Sequence, residues 1–312
     1  MGNVICKIDG EEFSSEKEMH KHLRKHKMRI VEYYQKYYPR YDKYDGSIIR
    51  FKNKDQYFRD EFNTMTNLKK WLKDKPLEEA KTYCQTIITK RKHDKDIKYA
   101  PTQIELRTVL SPPIQYYNEI FFDYYGLCER LDLINKYQNP TGIIDGKEYD
   151  KEEYKILIDT REQKPLKFER ETISQKLDYG DYAFSHPEQT CNCHIERKSL
   201  SDFIGTISGG YDRFINEIER AKENDAYLII LVEETLSNAL SFQYLPHISK
   251  KIRATPEFIF HRVRNLIQDY PNIQFLFVNG RKESSRMVEL IFTSGCAYKK
   301  IDLQLAYDTK IL

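Results

Sequence analysis

Residues 194–202 read HIERKSLSD. As a strand, this stretch alternates His194, Glu196 and Lys198 on one face with Cys193 and Ile195 on the other, because strand side chains repeat every second residue. A carboxylate and an ammonium two apart in a half-buried run are costly unless they have a task. One reading is a metal ligand beside a cation that activates water or touches phosphate. The other is an exposed edge strand with an ordinary ion pair, worth little. The flanking sequence decides between them.

On either side the pattern is an alternating α/β order. YKILID (154–159) is a short apolar strand ending on an acid, followed at once by TREQ. KLDYGDYAF places Gly180 and Asp181 at the start of another strand, SHPEQTCN turns, and CHIERK returns. SLSDFIGTI then starts a helix, with Ser199 as its cap and Asp202 three residues on. YDRFINEIERAKEN is a helix with Phe214, Ile218 and Ala221 on one face. AYLIILVEE is a nearly unbroken apolar run, expected of a central strand covered on both sides. A helix (TPEFIFHRVRNLIQDY), a strand (NIQFLFVNG) and a helix (SSRMVELIF) complete the series.

The combination IDTRE, GDY, IERKSLSD, IGTISGGYDRF and an apolar strand ending in Glu resembles the nuclease domain of the XPF/Hef (ERCC4-like) structure-specific endonucleases. Their signature is Gly-Asp, a spacer, Glu-Arg-Lys, three residues and Asp. Here these are Gly180, Asp181, a 14-residue spacer, Glu196, Arg197, Lys198 and Asp202. The match covers about residues 154–295. It implies a restriction-endonuclease-like, PD-(D/E)xK-type mixed sheet with flanking helices over residues 151–312. It also implies a Mg2+-dependent (or Mn2+-dependent) DNA endonuclease, with a homodimer through this domain.

The chemistry agrees with the resemblance. Phosphodiester hydrolysis needs a metal to polarise the phosphate and lower the pKa of a water. Asp159, Asp181 and Glu196 are the candidate Mg2+ ligands, since a hard cation takes carboxylate oxygen. Lys198 shares the strand face of Glu196 and is the candidate to orient water or offset charge on the phosphate. Arg161, Glu162, Arg197, Asp202 and Arg213 are supporting candidates. Arg161 and Glu162 follow Asp159 at the carboxyl end of the sheet, where α/β sites collect. Arg213 and Glu217 lie on the next helix, where a surface role is as open as a site role. Cys191, Cys193 and His194 form a metal-like fragment with no fourth ligand nearby and are read as ordinary hairpin residues.

The amino terminus carries a second motif. In CKIDGEEFSSEKEMHKHLRKH (6–26), Cys6 and Asp9 are separated by two residues, Asp9 and His22 by twelve, and His22 and His26 by three. Phe13 and Met19 occupy the apolar positions of a ββα unit. The segment 1–28 is similar to a two-Cys, two-His zinc finger in which Asp9 replaces the second thiolate. Two states stay open: Cys6, Asp9, His22 and His26 hold a weaker Zn2+, or the unit folds by packing alone. His20 is expected at the surface.

Residues 29–150 are read as mainly helical and DNA-binding. KHKMRIVEYYQKYY is expected to continue the finger helix. DQYFRDEFNTMTNLKKWLKD is expected as one amphipathic helix, with Phe58, Phe62, Met65 and Leu68 as its core stripe. TKRKHDKDIK (89–98) reads as a solvated linker. Residues 101–134 read as three short helices broken at Ser-Pro-Pro, similar to helical repeats that accompany some homing endonucleases. NPTGIIDGKEYDKEE marks a boundary near residue 150. From Lys17 to Lys54 there are 12 Lys/Arg against 4 Asp/Glu, interleaved with tyrosines. Such a run fits phosphate contact and base stacking, or equally a solvated helix with a Tyr-rich core face.

The chain as a whole has 312 residues and a net charge of only +3, so it is no polycation. It is 32% charged with a mean hydropathy of −0.72. No apolar signal or membrane span is visible, and six scattered cysteines fit a reducing compartment. The expected location is intracellular: cytoplasmic in a prokaryote or phage-infected cell, nuclear in a eukaryote. Paired helix-hairpin-helix motifs, usual after such nuclease domains, are not visible, which leaves branched DNA and a specific duplex site both open as substrates. A site-specific homing-type endonuclease and a non-catalytic DNA-binding scaffold on a nuclease fold are the rival readings. The intact Asp159, Asp181, Glu196 and Lys198 set argues against the scaffold.

Overall fold

The computed structural model describes residues 4–140, 154–186, 192–250, 252–295 and 297–312. The chain divides into two compact units, Met1–Ala80 with Val109–Ser111 and Lys81–Thr108 with Pro112–Leu312. No helix among the described residues is long and apolar enough to cross a membrane.

The first unit opens with strands β1 (Val4–Ile5) and β2 (Glu12–Phe13), paired antiparallel, and helix α1 (Glu16–His22). Ser15 caps α1 by accepting the Glu18 N–H. The helix does not run on as expected: Lys27 takes a left-handed φ of 51°, and α2 (Ile30–Tyr37) starts afresh with Glu32 bonded back to the Arg29 N–H. The next stretch is likewise two helices, α3 (Lys54–Arg59) and α4 (Met65–Asp74). Thr64 acts as an N-cap between them, a role its hydroxyl performs better than a helix interior would allow. Phe62 and Leu68 are buried as expected, but Phe58 is exposed and Tyr57 and Trp71 take core places. The Tyr-rich run is partly a core face. Tyr33 and Tyr34 are core, packed with Cys6, Met19 and Leu23, whereas Tyr41 and Tyr44 are exposed. His20 is not simply surface, since its Nε2 meets the Tyr34 hydroxyl at 3.0 Å.

The expected linker at 89–98 is mostly helix: α5 runs Leu77–Lys95. Its Arg91 forms a buried ion pair with Glu105 at 3.1 Å, so part of that basic run is structural. The three short helices appear as α6 (Gln103–Arg107), α7 (Ile114–Phe121) and α8 (Tyr124–Arg130). Thr102 and Glu105 form a reciprocal capping box on α6. Most of the boundary segment near residue 150 lies outside the described residues.

In the second unit the remaining elements are β3 (Lys155–Asp159), β4 (Thr172–Gln175), β5 (Tyr182–Ser185), β6 (Cys193–Lys198), α9 (Leu200–Ser208), α10 (Tyr211–Glu223), β7 (Tyr227–Val232), α11 (Leu236–Ala239), α12 (Pro256–Asp269), β8 (Ile273–Phe277), α13 (Gly280–Thr293) and α14 (Leu303–Asp308). The strands form one six-stranded mixed sheet in the order β4-β3-β5-β6-β7-β8. The two central pairings, β3 with β5 and β5 with β6, are antiparallel, and the others are parallel. The sheet has helices on both faces, which is why β7 carries no charged residue. Leu228, Ile230 and Val232 join one core with Phe203 of α9, Phe214 of α10 and Phe260 of α12. Ile229 and Leu231 join the other with Met287 of α13 and Leu303 of α14. Full burial of such a side chain contributes about 1.5–3 kcal/mol relative to exposure.

Candidate active site

The site lies where β3, β5 and β6 meet at the carboxyl end of β6. Asp181 immediately precedes β5, and its N–H donates to the Ile195 carbonyl at 2.9 Å. Gly180 makes this approach feasible. Its φ is +62°, and a Cβ there would lie 2.9 Å from the Ile195 carbonyl oxygen. Gly180→Ala is therefore expected to destabilise the fold by about 1–3 kcal/mol through backbone strain and to slow cleavage by displacing Asp181. Urea unfolding curves that coincide with wild type would show the turn has room to spare.

Asp181 Oδ2 accepts the Arg197 N–H at 2.8 Å. Burial, and then the neighbouring Glu196 carboxylate, push the Asp181 carboxyl up to about 7. Glu196 and Lys198 share one face of β6, as strand periodicity requires, and their side chains pair at 2.7 Å while largely shielded from solvent. The Lys198 ammonium lies 6.0 Å from the centre of the Phe214 ring, which places α10 alongside. Glu217, one turn along α10, has its carboxyl pushed up by burial and then by Glu196.

Arg197 points to the other face and is clamped. Its Nη2 meets Glu162 Oε2 at 2.8 Å and its Nη1 meets Glu233 Oε2 at 3.0 Å. Glu233 follows β7 directly, so this guanidinium ties the ends of β3 and β7 to β6. Arg197→Met is expected to strip Glu162 of its cation and leave Glu233 only Arg281, 3.6 Å away, and to cost about 3 kcal/mol of stability, the scale for breaking a buried ion pair. A chemical denaturation midpoint unchanged by that substitution would deny the clamp.

Asp159 is buried at the end of β3, with its N–H bonded to the Asp181 carbonyl. Its oxygens are engaged by Arg161: Oδ1 accepts from the backbone N–H and Nε at 2.7 Å each, and Oδ2 accepts from Nη2 at 3.0 Å. Oδ2 also takes the Leu177 N–H at 2.7 Å. The Arg161 side chain first, against the opposing effect of burial, holds the Asp159 carboxyl down at about 2. Here Asp159 orients Arg161, and its coordination of a cation would require those contacts to rearrange.

Asp202 is exposed and acts at the helix start, with Ser199 Oγ accepting its N–H at 3.2 Å and donating to its Oδ2 at 2.7 Å. Arg213 is exposed on α10. Cys191 lies outside the described residues. Cys193 is buried on the opposite strand face, its thiol pushed up to about 12 by burial. His194 engages the Tyr179 carbonyl and Asn192 with its two ring nitrogens. Sequence reasoning did not give Arg197 its partners; the only signal for Glu233 was the acid that ends the apolar β7 run.

The first unit brings its four expected donors together: one ligand atom from each of Cys6, Asp9, His22 and His26, all within 4.8 Å of one another. Phe13 packs on His22 with ring centres 4.8 Å apart, and Met19 is buried, as expected of a ββα unit.

The mixed sheet, flanked by helices, thus carries an acid, an acid and a lysine on or beside its neighbouring strands β5 and β6. Residues 158–291 match the family model of the ERCC4 domain. Two structures of XPF from Aeropyrum pernix, one of them a complex with DNA, are similar at 21% and 20% identity, each with a TM-score of 0.34. Each alignment covers 44% of this chain, and 62% and 63% of those chains. The chain thus spans less than two thirds of their length. No curated protein matches the chain.

Proposed function

We propose that the protein is a divalent-cation-dependent endodeoxyribonuclease acting on branched or otherwise structured DNA. The observation that carries this reading is the shielded Asp181–Glu196 carboxylate pair beside Lys198 within the segment that matches the ERCC4 domain. A buried Asp181 carboxyl whose proton affinity is raised by burial and then by the Glu196 carboxylate is a fit for a hard cation, which offsets the repulsion through oxygen ligands. Asp181 and Glu196 would hold Mg2+ or Mn2+, with Asp159 as the third carboxylate once freed from Arg161. Bound there, the cation would supply Lewis-acid activation of phosphate and water. Lys198 holds a positive charge where the phosphate's charge develops, and Arg197 positions Asp181 through its backbone N–H. Dimerisation through this domain belongs to the same reading and is read by sedimentation.

The test is cleavage of flap, fork, Holliday-junction and linear duplex DNA with Mg2+, with Mn2+ and with chelator. Cation-dependent nicking that favours a branched substrate is the expected result. Preference for one linear sequence would mean a site-specific enzyme, and no cutting of any substrate would mean a scaffold.

The amino-terminal residues are proposed to help grip DNA, since Arg24, Lys25 and Lys27 form a basic run after α1. Replacing all three by Gln is expected to flatten the salt dependence of DNA binding by about one ion for each phosphate no longer neutralised. A slope equal to wild type would make that run plain solvated surface.

A further inference from the structure

We propose that Cys6, Asp9, His22 and His26 form a closed zinc site that holds the first unit together, with Asp9 as a working ligand. The argument comes from contacts that hydrogen bonds cannot satisfy. His22 Nε2 and His26 Nε2 each lie 2.8 Å from the same oxygen, Asp9 Oδ2, and 3.1 Å from each other. An ionised Asp9 only accepts, so both ring nitrogens would need to carry hydrogens directed at it. The two N–H groups would then face each other with no acceptor between them. If either nitrogen lacks its hydrogen, a lone pair confronts a carboxylate oxygen at 2.8 Å. One of the three contacts is unfavourable in every arrangement. A cation among these atoms turns all three into the edges of a coordination polyhedron. Donors bound at about 2.0–2.1 Å in a tetrahedral site lie about 3.3 Å apart, near the separations found.

The remaining donors agree. Cys6 is fully buried, and its thiol hydrogen-bonds Asp9. His22 is also buried, with no hydrogen-bond partner for Nδ1, and the Glu11 carboxylate lies 3.4 Å from that nitrogen. A carboxylate behind a metal-bound imidazole fixes its tautomer and orientation. One sulfur, two nitrogens and one oxygen exclude magnesium and calcium, which take all-oxygen shells, and suit zinc. Four protein donors leave no open position, so the site is structural.

The test is metal content of the full chain by mass spectrometry, with Zn2+ and Co2+ titrations of the stripped protein. One zinc per chain is expected, with a tetrahedral Co2+ spectrum showing a single-thiolate charge-transfer band. Asp9→Ala and His26→Ala are each expected to lower zinc affinity by more than tenfold, and Glu11→Gln by roughly tenfold, the scale of an outer-shell partner. Asp9→Cys keeps the unit folded and is expected to tighten binding. Zinc-free protein that takes up no Zn2+, or affinity unmoved by Asp9→Cys and His26→Ala, would overturn the site. Glu196→Gln is expected to retain full zinc, which separates this site from the proposed nuclease centre.

Discussion

Asp181→Asn and Glu196→Gln are each expected to reduce cleavage at least a thousandfold while DNA affinity stays within a fewfold of wild type. Each substitution removes one anionic oxygen and keeps the side-chain shape. Loss of a single well-aimed electrostatic group costs about 10²–10³ in turnover, and loss of a cation ligand removes the activation of water as well. Asp181→Asn has a second, independent signature. An acid whose folded value lies above its ordinary one binds its proton more tightly in the native state. Asp181 therefore contributes stability at low pH that is lost as pH rises from its ordinary 3.8 through about 7. In chelator at pH 8, the Asn variant is expected to melt above wild type, with the difference vanishing below pH 4. Undiminished cleavage by either variant would remove these carboxylates from the site.

The β5–β6 part of this site was legible because its chemistry rides on period-two alternation. Glu196 and Lys198 had to share a face, and Asp181 had to precede the paired strand after the one glycine that tolerates its backbone. What strand periodicity cannot carry is the state of a side chain across the sheet. The place of Asp159 at the end of β3 makes it a candidate third cation ligand, while Arg161, two residues on, holds its oxygens. Arg197 was known only to face away from Lys198, while its partners come from Glu162 and from Glu233, thirty-six residues later. β4 was missed because TISQ lies exposed at the sheet edge, with Ile173 its only apolar residue. In the first unit, the helix breaks at Lys27 and Thr64 depend on a left-handed residue and a cap, local events that an amphipathic pattern overruns. The ββα segment and the convergence of Cys6, Asp9, His22 and His26 were legible from spacing, because four donor positions and two apolar positions repeat at fixed intervals.

Lys198→Ala is expected to lower the single-turnover rate about a hundredfold or more at saturating DNA, the cost of removing one preorganised charge from an active site. The ammonium is anchored by Glu196 at 2.7 Å and packed near Phe214, so it meets the substrate already oriented, its long side chain ordered before DNA arrives. That anchor also makes the substitution informative about Glu196, which loses its counter-charge in the same step. Lys198→Ala and Glu196→Gln should therefore be strongly non-additive, because the pair acts as one unit. A phosphate clamp would behave differently: affinity would fall, the salt slope would drop by about one ion, and the rate on bound DNA would hold. A Lys198→Ala protein that binds worse but cuts normally once saturated would therefore move Lys198 from the chemistry to the grip.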